Sequence, residues 1–223
     1  MSDIHFPSNG HDAMGYLARP AGEGVHPGVV VIQEWWGLND HMRDLTERFA
    51  RAGYVALTPD LYHGRVVSEP DEARKEAMGL DRERAAKEID GAVAYLRSQP
   101  YVSPKKIGVV GFCMGGGLAL WTGSRNPDLG AVVAFYGGGG PGAEQFANTQ
   151  AAVLNIVGDR DHALNYLQSL EQGLRQYSLP HELVIYPDAD HAFFNDTRPE
   201  VYNPTASEDA WKRALAWFGK YLV

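Results

Sequence analysis

The one cysteine of this 223-residue chain stands in Gly111-Phe112-Cys113-Met114-Gly115, a G-x-C-x-G pattern. The apolar run KIGVVGF leads into it and the helix-compatible LALWTG follows. A strand, a sharp glycine-framed turn and a helix form the nucleophile-elbow arrangement, here with cysteine as the nucleophile. Small neighbours let strand and helix approach closely while the turn aims Sγ away from the core. The helix N-terminus favours the thiolate, and the amide of Met114 is placed to stabilise an oxyanion. Two other readings compete on the segment alone. The thiol could be a small buried hydrophobe. The glycines could cradle a phosphate, but GFCMGGG matches neither G-x-G-x-x-G nor G-x-x-x-x-G-K-[ST].

A nucleophile of this kind calls for an acid and then a histidine at later strand ends. LNIVGDRDH supplies the acid, and VIYPDADHAFF supplies His191 in the loop after the next strand. Asp159 is preferred over Asp161 because it directly follows Gly158 at the strand end. In this reading Asp159 orients the imidazole, and His191 takes the thiol proton and later returns one. An unperturbed thiol is only ~3% ionised at neutral pH, so such activation has a purpose. His162 beside these acids raises the question of a metal, but no convincing ligand spacing develops and no metal is expected. Glu34 closes the buried run VVVIQE, where an unpaired carboxylate is costly. It is expected either as a solvated strand end or in the crevice with Cys113, and the following Trp35 and Trp36 as a pocket wall.

The elements that must position these groups alternate. Val29–Ile32, YVALTPDLY, KIGVVGF, GAVVAFYG, AAVLNIVGD and HELVIYP read as short strands, most of them buried on both faces. HDAMGYLARP reads as an earlier strand. Between them, HMRDLTERFARAG, a charged Ala-rich stretch over 69–98 broken near MGLD, and ALNYLQSLEQGLRQY read as helices, and SEDAWKRALAWFGKYL as a terminal one. This order predicts an α/β fold, a mostly parallel central sheet with helices on both faces. No linker or compositional break divides residues 1–223, so a single domain is expected.

Composition excludes several classes. The net charge of −8 and the scattered Lys and Arg residues give no footprint for nucleic acid. No apolar run approaches membrane-spanning length, and MSDIHFPSNG has no secretory character. One cysteine suits a reducing compartment, so a cytoplasmic monomer with no membrane or nucleic-acid partner is expected.

Together QEWWG, GFCMGG, GDxD and HAFF, in this order, resemble the dienelactone hydrolase family of α/β-hydrolases over most of the chain. The resemblance implies an α/β-hydrolase fold and a triad of Cys113, Asp159 and His191. It also implies an auxiliary carboxylate at Glu34 that interacts with the cysteine, and an oxyanion hole of the Trp35 and Met114 amides. It implies attack on a small-molecule lactone or ester through an acyl-enzyme, as in conversion of dienelactone to maleylacetate, with no metal or organic cofactor. The founding members hold a substrate carboxylate with two arginines, one of them four residues past the histidine; here that residue is Asn195. An amide cannot replace an arginine fork. The remaining substrate-binding candidates are Trp36, Tyr62, Arg65, Tyr136 and Arg198. A broad carboxylesterase or thioesterase, or a non-catalytic small-molecule-binding protein, are the competing functions.

Overall fold

The computed structural model describes residues 1–8 and 10–222. One eight-stranded sheet runs through it: β1 (Ser2–Ser8), β2 (His11–Ala18), β3 (Gly28–Ile32), β4 (Val55–Pro59), β5 (Ile107–Phe112), β6 (Leu129–Phe135), β7 (Ala152–Gly158) and β8 (His181–Tyr186). Their order across the sheet is β1-β2-β4-β3-β5-β6-β7-β8. From β4 to β8 the neighbours are parallel, while β1 and β2 pair antiparallel at one edge. Every residue of β3, β4, β5 and β7 is buried, which is why these segments are unbroken apolar runs rather than alternating ones.

The described residues form six α-helices, α1 (Asp40–Arg51), α2 (Pro70–Gly79), α3 (Arg82–Ser98), α4 (Met114–Gly123), α5 (Leu164–Leu174) and α6 (Pro204–Tyr221), and all but α2 pack against the sheet. Ile89, Val93 and Leu96 of α3 pack with Leu118 of α4 and Leu167 of α5 on one face. On the other, Leu45 and Phe49 of α1 meet Phe218 of α6. Helix α1 starts where Asn39 caps it, its side chain accepting from the Met42 amide at 3.0 Å. The expected break near MGLD is the junction of α2 and α3. Strand β1 was not anticipated. It carries Pro7 and alternates in burial, as an edge strand does.

The turns after β3, β5, β6, β7 and β8 open at one rim of the sheet, and that rim carries Glu34, Cys113, Tyr136, Asp161 and His191. Ligand crevices of open parallel sheets form outside these carboxyl ends, where the connections diverge. Among the described residues, no helix is long and apolar enough to cross a membrane.

Candidate active site

Cys113 lies between β5 and α4 with φ 55° and ψ −117°, a left-handed conformation that a non-glycine residue adopts at a cost. Two contacts hold it there: its amide donates to the Phe135 carbonyl at 3.1 Å, and its carbonyl accepts from the Gly116 amide at 3.0 Å. The glycines around it answer to close packing. A Cβ on Gly111 would overlap the carbonyl of Gly115, and one on Gly115 would stand 2.5 Å from the carbonyl oxygens of Ile32 and Gln33. Helix α4 therefore rests directly on the backbone of β3 and β5, and only glycine permits that approach.

The thiol is not idle packing. Sγ of Cys113 lies 3.1 Å from Nε2 of His191. Nδ1 of the same imidazole lies 3.0 and 2.9 Å from the two carboxylate oxygens of Asp161. That carboxylate is fully buried and also accepts from the Ala163 amide at 2.8 Å. His191 is held well above its ordinary 6.5, at about 10. Burial of the ring opposes this; hydrogen bonds to Asp161 and Cys113, with their charges, outweigh it.

The acid is Asp161, which corrects the expectation of Asp159. After Gly158 the chain turns, Arg160 donating to the Ala189 carbonyl at 3.2 Å and Asp161 to the Gly158 carbonyl at 3.3 Å. This turn leaves Asp159 exposed and folds Asp161 under the imidazole.

Glu34 is buried, 2% exposed, rather than a solvated strand end. Its partners are the hydroxyl of Tyr136, which donates to Oε1 at 3.2 Å, and the amide of Asn195, which donates to Oε2 at 2.8 Å. Burial pushes its carboxyl up from the usual value, with Asn195, Tyr136 and His191 pulling the other way. The cysteine is thus engaged with His191, while Glu34 is engaged with Tyr136 and Asn195. Tyr136 is fully buried at φ 41°, its ring edge-on to His191 at 5.1 Å, and burial beside Glu34 raises its hydroxyl well above the ordinary value.

A cleft of 380 Å³ opens over the thiol. Trp35, Met114, Tyr136, Cys113 and His191 line its base, and Leu118 and Trp121 of α4 one wall. Arg74 and Met78 of α2 and Arg82 at the start of α3 also line it and escaped the sequence reading; so does His162, which is weighed there only as a metal ligand. Nothing in a polar helix announces which of its residues overhang a distant turn.

Several residues expected at the substrate lie elsewhere. Trp36, Asn195 and Arg198 line a separate neighbouring cavity of 610 Å³, so the two tryptophans divide between the two spaces. The Arg198 guanidinium sits 5.8 Å from the Trp36 ring and pairs with Glu200 at 2.8 Å. Arg65 is taken by Glu76 at 2.8 Å. Tyr62 is 9% exposed and supports the cleft from behind, its hydroxyl 3.5 Å from the Met114 sulfur.

Residues 13–222 match the model of the dienelactone hydrolase family. The chain belongs to that family. It is 34% identical to Protein usf of Aquifex pyrophilus over 99% of this chain and 98% of that protein. A Synechocystis protein with a provisional carboxymethylenebutenolidase name is 32% identical over 96% of this chain and 94% of its own. A Klebsiella pneumoniae crystal structure, provisionally described as a dienelactone hydrolase, superposes with a TM-score of 0.89. It is 30% identical, covering 99% of this chain and 98% of that one. The fold is thereby the α/β-hydrolase fold, and this dienelactone hydrolase family member is a carboxylic ester hydrolase with a cysteine nucleophile.

Proposed function

We propose that the protein, acting as a single domain, hydrolyses lactones and small activated esters that carry an anionic group, through a thioester on Cys113. The observation that carries this reading is the unbroken chain from Sγ through His191 to the buried Asp161 at the base of the cleft. In the first half-reaction Sγ, its proton already passed to Nε2 of His191, attacks the carbonyl carbon. The developing oxyanion is received by the amides of Met114, first residue of α4, and Trp35. Nε2 of His191 then delivers a proton to the departing enolate or alkoxide. In the second, Nε2 accepts a proton from water, which attacks the thioester and frees Cys113. Asp161 keeps the ring in register throughout.

The anionic preference rests on the cleft's charge. The chain has a net charge of −8, yet no Asp or Glu among the described residues lines this cleft. Its charged contributors beside the two histidines are Arg74 and Arg82. Arg74 meets only the exposed Asp71, at 3.5 Å. With Arg65 and Arg198 committed to glutamates and Asn195 to Glu34, these two cations are the ones left to face a substrate carboxylate. The carboxymethylenebutenolidase name of the Synechocystis relative agrees with an anionic lactone.

The test is trapping. Intact-protein mass spectrometry with a slow ester is expected to show one acyl group on Cys113, absent in Cys113→Ala, which also loses turnover. A folded Cys113→Ala protein that hydrolyses esters as fast as the wild type would refute the mechanism.

A further inference from the structure

The carboxylate that holds His191 is shared with a second histidine. Nδ1 of His162 lies 3.4 Å from Oδ1 of Asp161. The His162 ring packs on that of His191 with centroids 4.5 Å apart and planes 37° apart, yet its side chain is 75% exposed. None of the hydrolytic steps uses it. One ligand atom from each of Asp161, His162 and His191 lies within 4.8 Å of the other two. Metal–donor bonds of about 2.0–2.2 Å in a tetrahedron set neighbouring donors about 3.3–3.5 Å apart. The Asp161–His162 separation already meets that, and the Asp161–His191 separation of 2.9 Å falls short by a few tenths of an ångström. Two imidazoles and one carboxylate suit zinc and its neighbours rather than calcium or magnesium.

We propose that Asp161, His162 and His191 form a binding site for a zinc-like divalent transition metal, its fourth position open to water from the cleft. The exposed His162 ring, adjacent in sequence to Asp161, is the part free to adjust as the ion enters.

Occupation has a chemical consequence that rests on His191 being the proton carrier. The metal takes the Nδ1 lone pair, and the proton held there against Asp161 leaves to solvent. The remaining ring proton stays on Nε2. A metal-bound imidazole is a far weaker acid than an imidazolium and does not deliver that Nε2 proton to the departing alkoxide, so turnover stops at acylation without any bond to sulfur. The competing location is the Cys113–His191 pair, whose Sγ and Nε2 also converge.

Equilibrium dialysis with zinc chloride on the wild type, His162→Gln and Cys113→Ala separates these, together with absorption spectra after adding cobalt chloride. One equivalent is expected on the wild type and on Cys113→Ala with similar affinity. Binding by His162→Gln is expected to weaken about tenfold or more. Cobalt is expected to give visible ligand-field bands without a thiolate-to-cobalt charge-transfer band. Equal affinity in His162→Gln, loss of binding in Cys113→Ala, a thiolate band, or no binding at all would each overturn the proposal. Zinc bound as expected with ester turnover unaffected would leave the site standing and refute His191 as the proton carrier.

Discussion

Replacing Asp161 by asparagine tests the site at its least obvious residue. The carboxylate now offers acceptors at 2.9 and 3.0 Å to His191 Nδ1, and one of them also takes the Ala163 amide. The asparagine oxygen can keep Ala163, which turns its NH2 group toward Nδ1, donor against donor. The imidazole escapes by carrying its proton on Nε2, the wrong atom for a base. Lifting His191 from 6.5 to about 10 against burial corresponds to ~5 kcal/mol in favour of the imidazolium, divided between Asp161 and Cys113. Losing the charge-assisted hydrogen bond to Asp161, about 2–3 kcal/mol, lowers the rate ~10²-fold. A wrong tautomer raises the loss toward ~10⁴-fold. The fall in kcat/KM for p-nitrophenyl acetate is therefore expected between these limits, with the circular dichroism spectrum unchanged. Asp159→Asn, on the exposed face of the same turn, is expected to stay within about twofold of the wild type. A loss below tenfold in Asp161→Asn, or a larger loss in Asp159→Asn, would refute the assignment. Stability carries the same signature. Because the folded state holds the His191 proton more tightly, its contribution is complete below pH 6.5 and is lost as pH rises toward about 10. Urea titrations across that range should show a shallower decline in Asp161→Asn.

Three further outcomes follow from the surrounding packing. Glu34→Gln can keep both contacts, its oxygen accepting from Asn195 and its NH2 donating to a rotated Tyr136 hydroxyl. Burial raises the Glu34 carboxyl, so its charge costs nothing below pH 4.5 and progressively more above it. The variant should match the wild type near pH 4 and exceed it at pH 8 in urea melts; a deficit at pH 8 contradicts this. Arg74→Ala with Arg82→Ala should raise KM about five- to tenfold for a carboxylate-bearing ester, less so in high salt, and leave an uncharged isostere within twofold. Equal effects on both substrates would remove the arginines from recognition. Gly115→Ala drives a methyl into the carbonyls of Ile32 and Gln33 and should cost about 2–4 kcal/mol in thermal or urea unfolding; a neutral result would contradict the close seating of α4.

What could be read from the sequence was local. Val29–Ile32 and the run before Gly111 are continuous and apolar, and a strand buried on both faces has few other sequence forms. Gly111 and Gly115, framing Cys113, announced the elbow because only glycine tolerates those approaches. The acid failed by two positions. Which carboxylate faces inward depends on how residues 158–163 turn, and that turn is held by the Ala189 carbonyl across the rim as well as by local bonds such as that of the Asp161 amide to the Gly158 carbonyl. The arginines failed for a related reason. Arg65 and Arg198 lie near the motifs, but Glu76 and Glu200 occupy them. Arg74 and Arg82 lie far from any motif and line the cleft from α2 and the start of α3.

The position four residues past His191 links these results. The oxygen of the Asn195 side chain accepts from both the amide and the hydroxyl of Thr197, at 3.1 and 2.7 Å. Its NH2 must then point the other way, and it meets Glu34 at 2.8 Å. The orientation of this amide is thus set by three partners, its oxygen toward Thr197 and its NH2 toward Glu34. A neutral amide cannot balance the Glu34 charge as a guanidinium would, which is why burial still raises that carboxyl. Two consequences follow together. Glu34 is tied to Asn195 and Tyr136, so the thiol's partner is His191 and the nucleophile is aligned before any substrate arrives. Asn195 thus has no charge with which to hold an anion, and the proposed recognition rests on Arg74 and Arg82 in the cleft, on helices whose sequence shows no trace of the task.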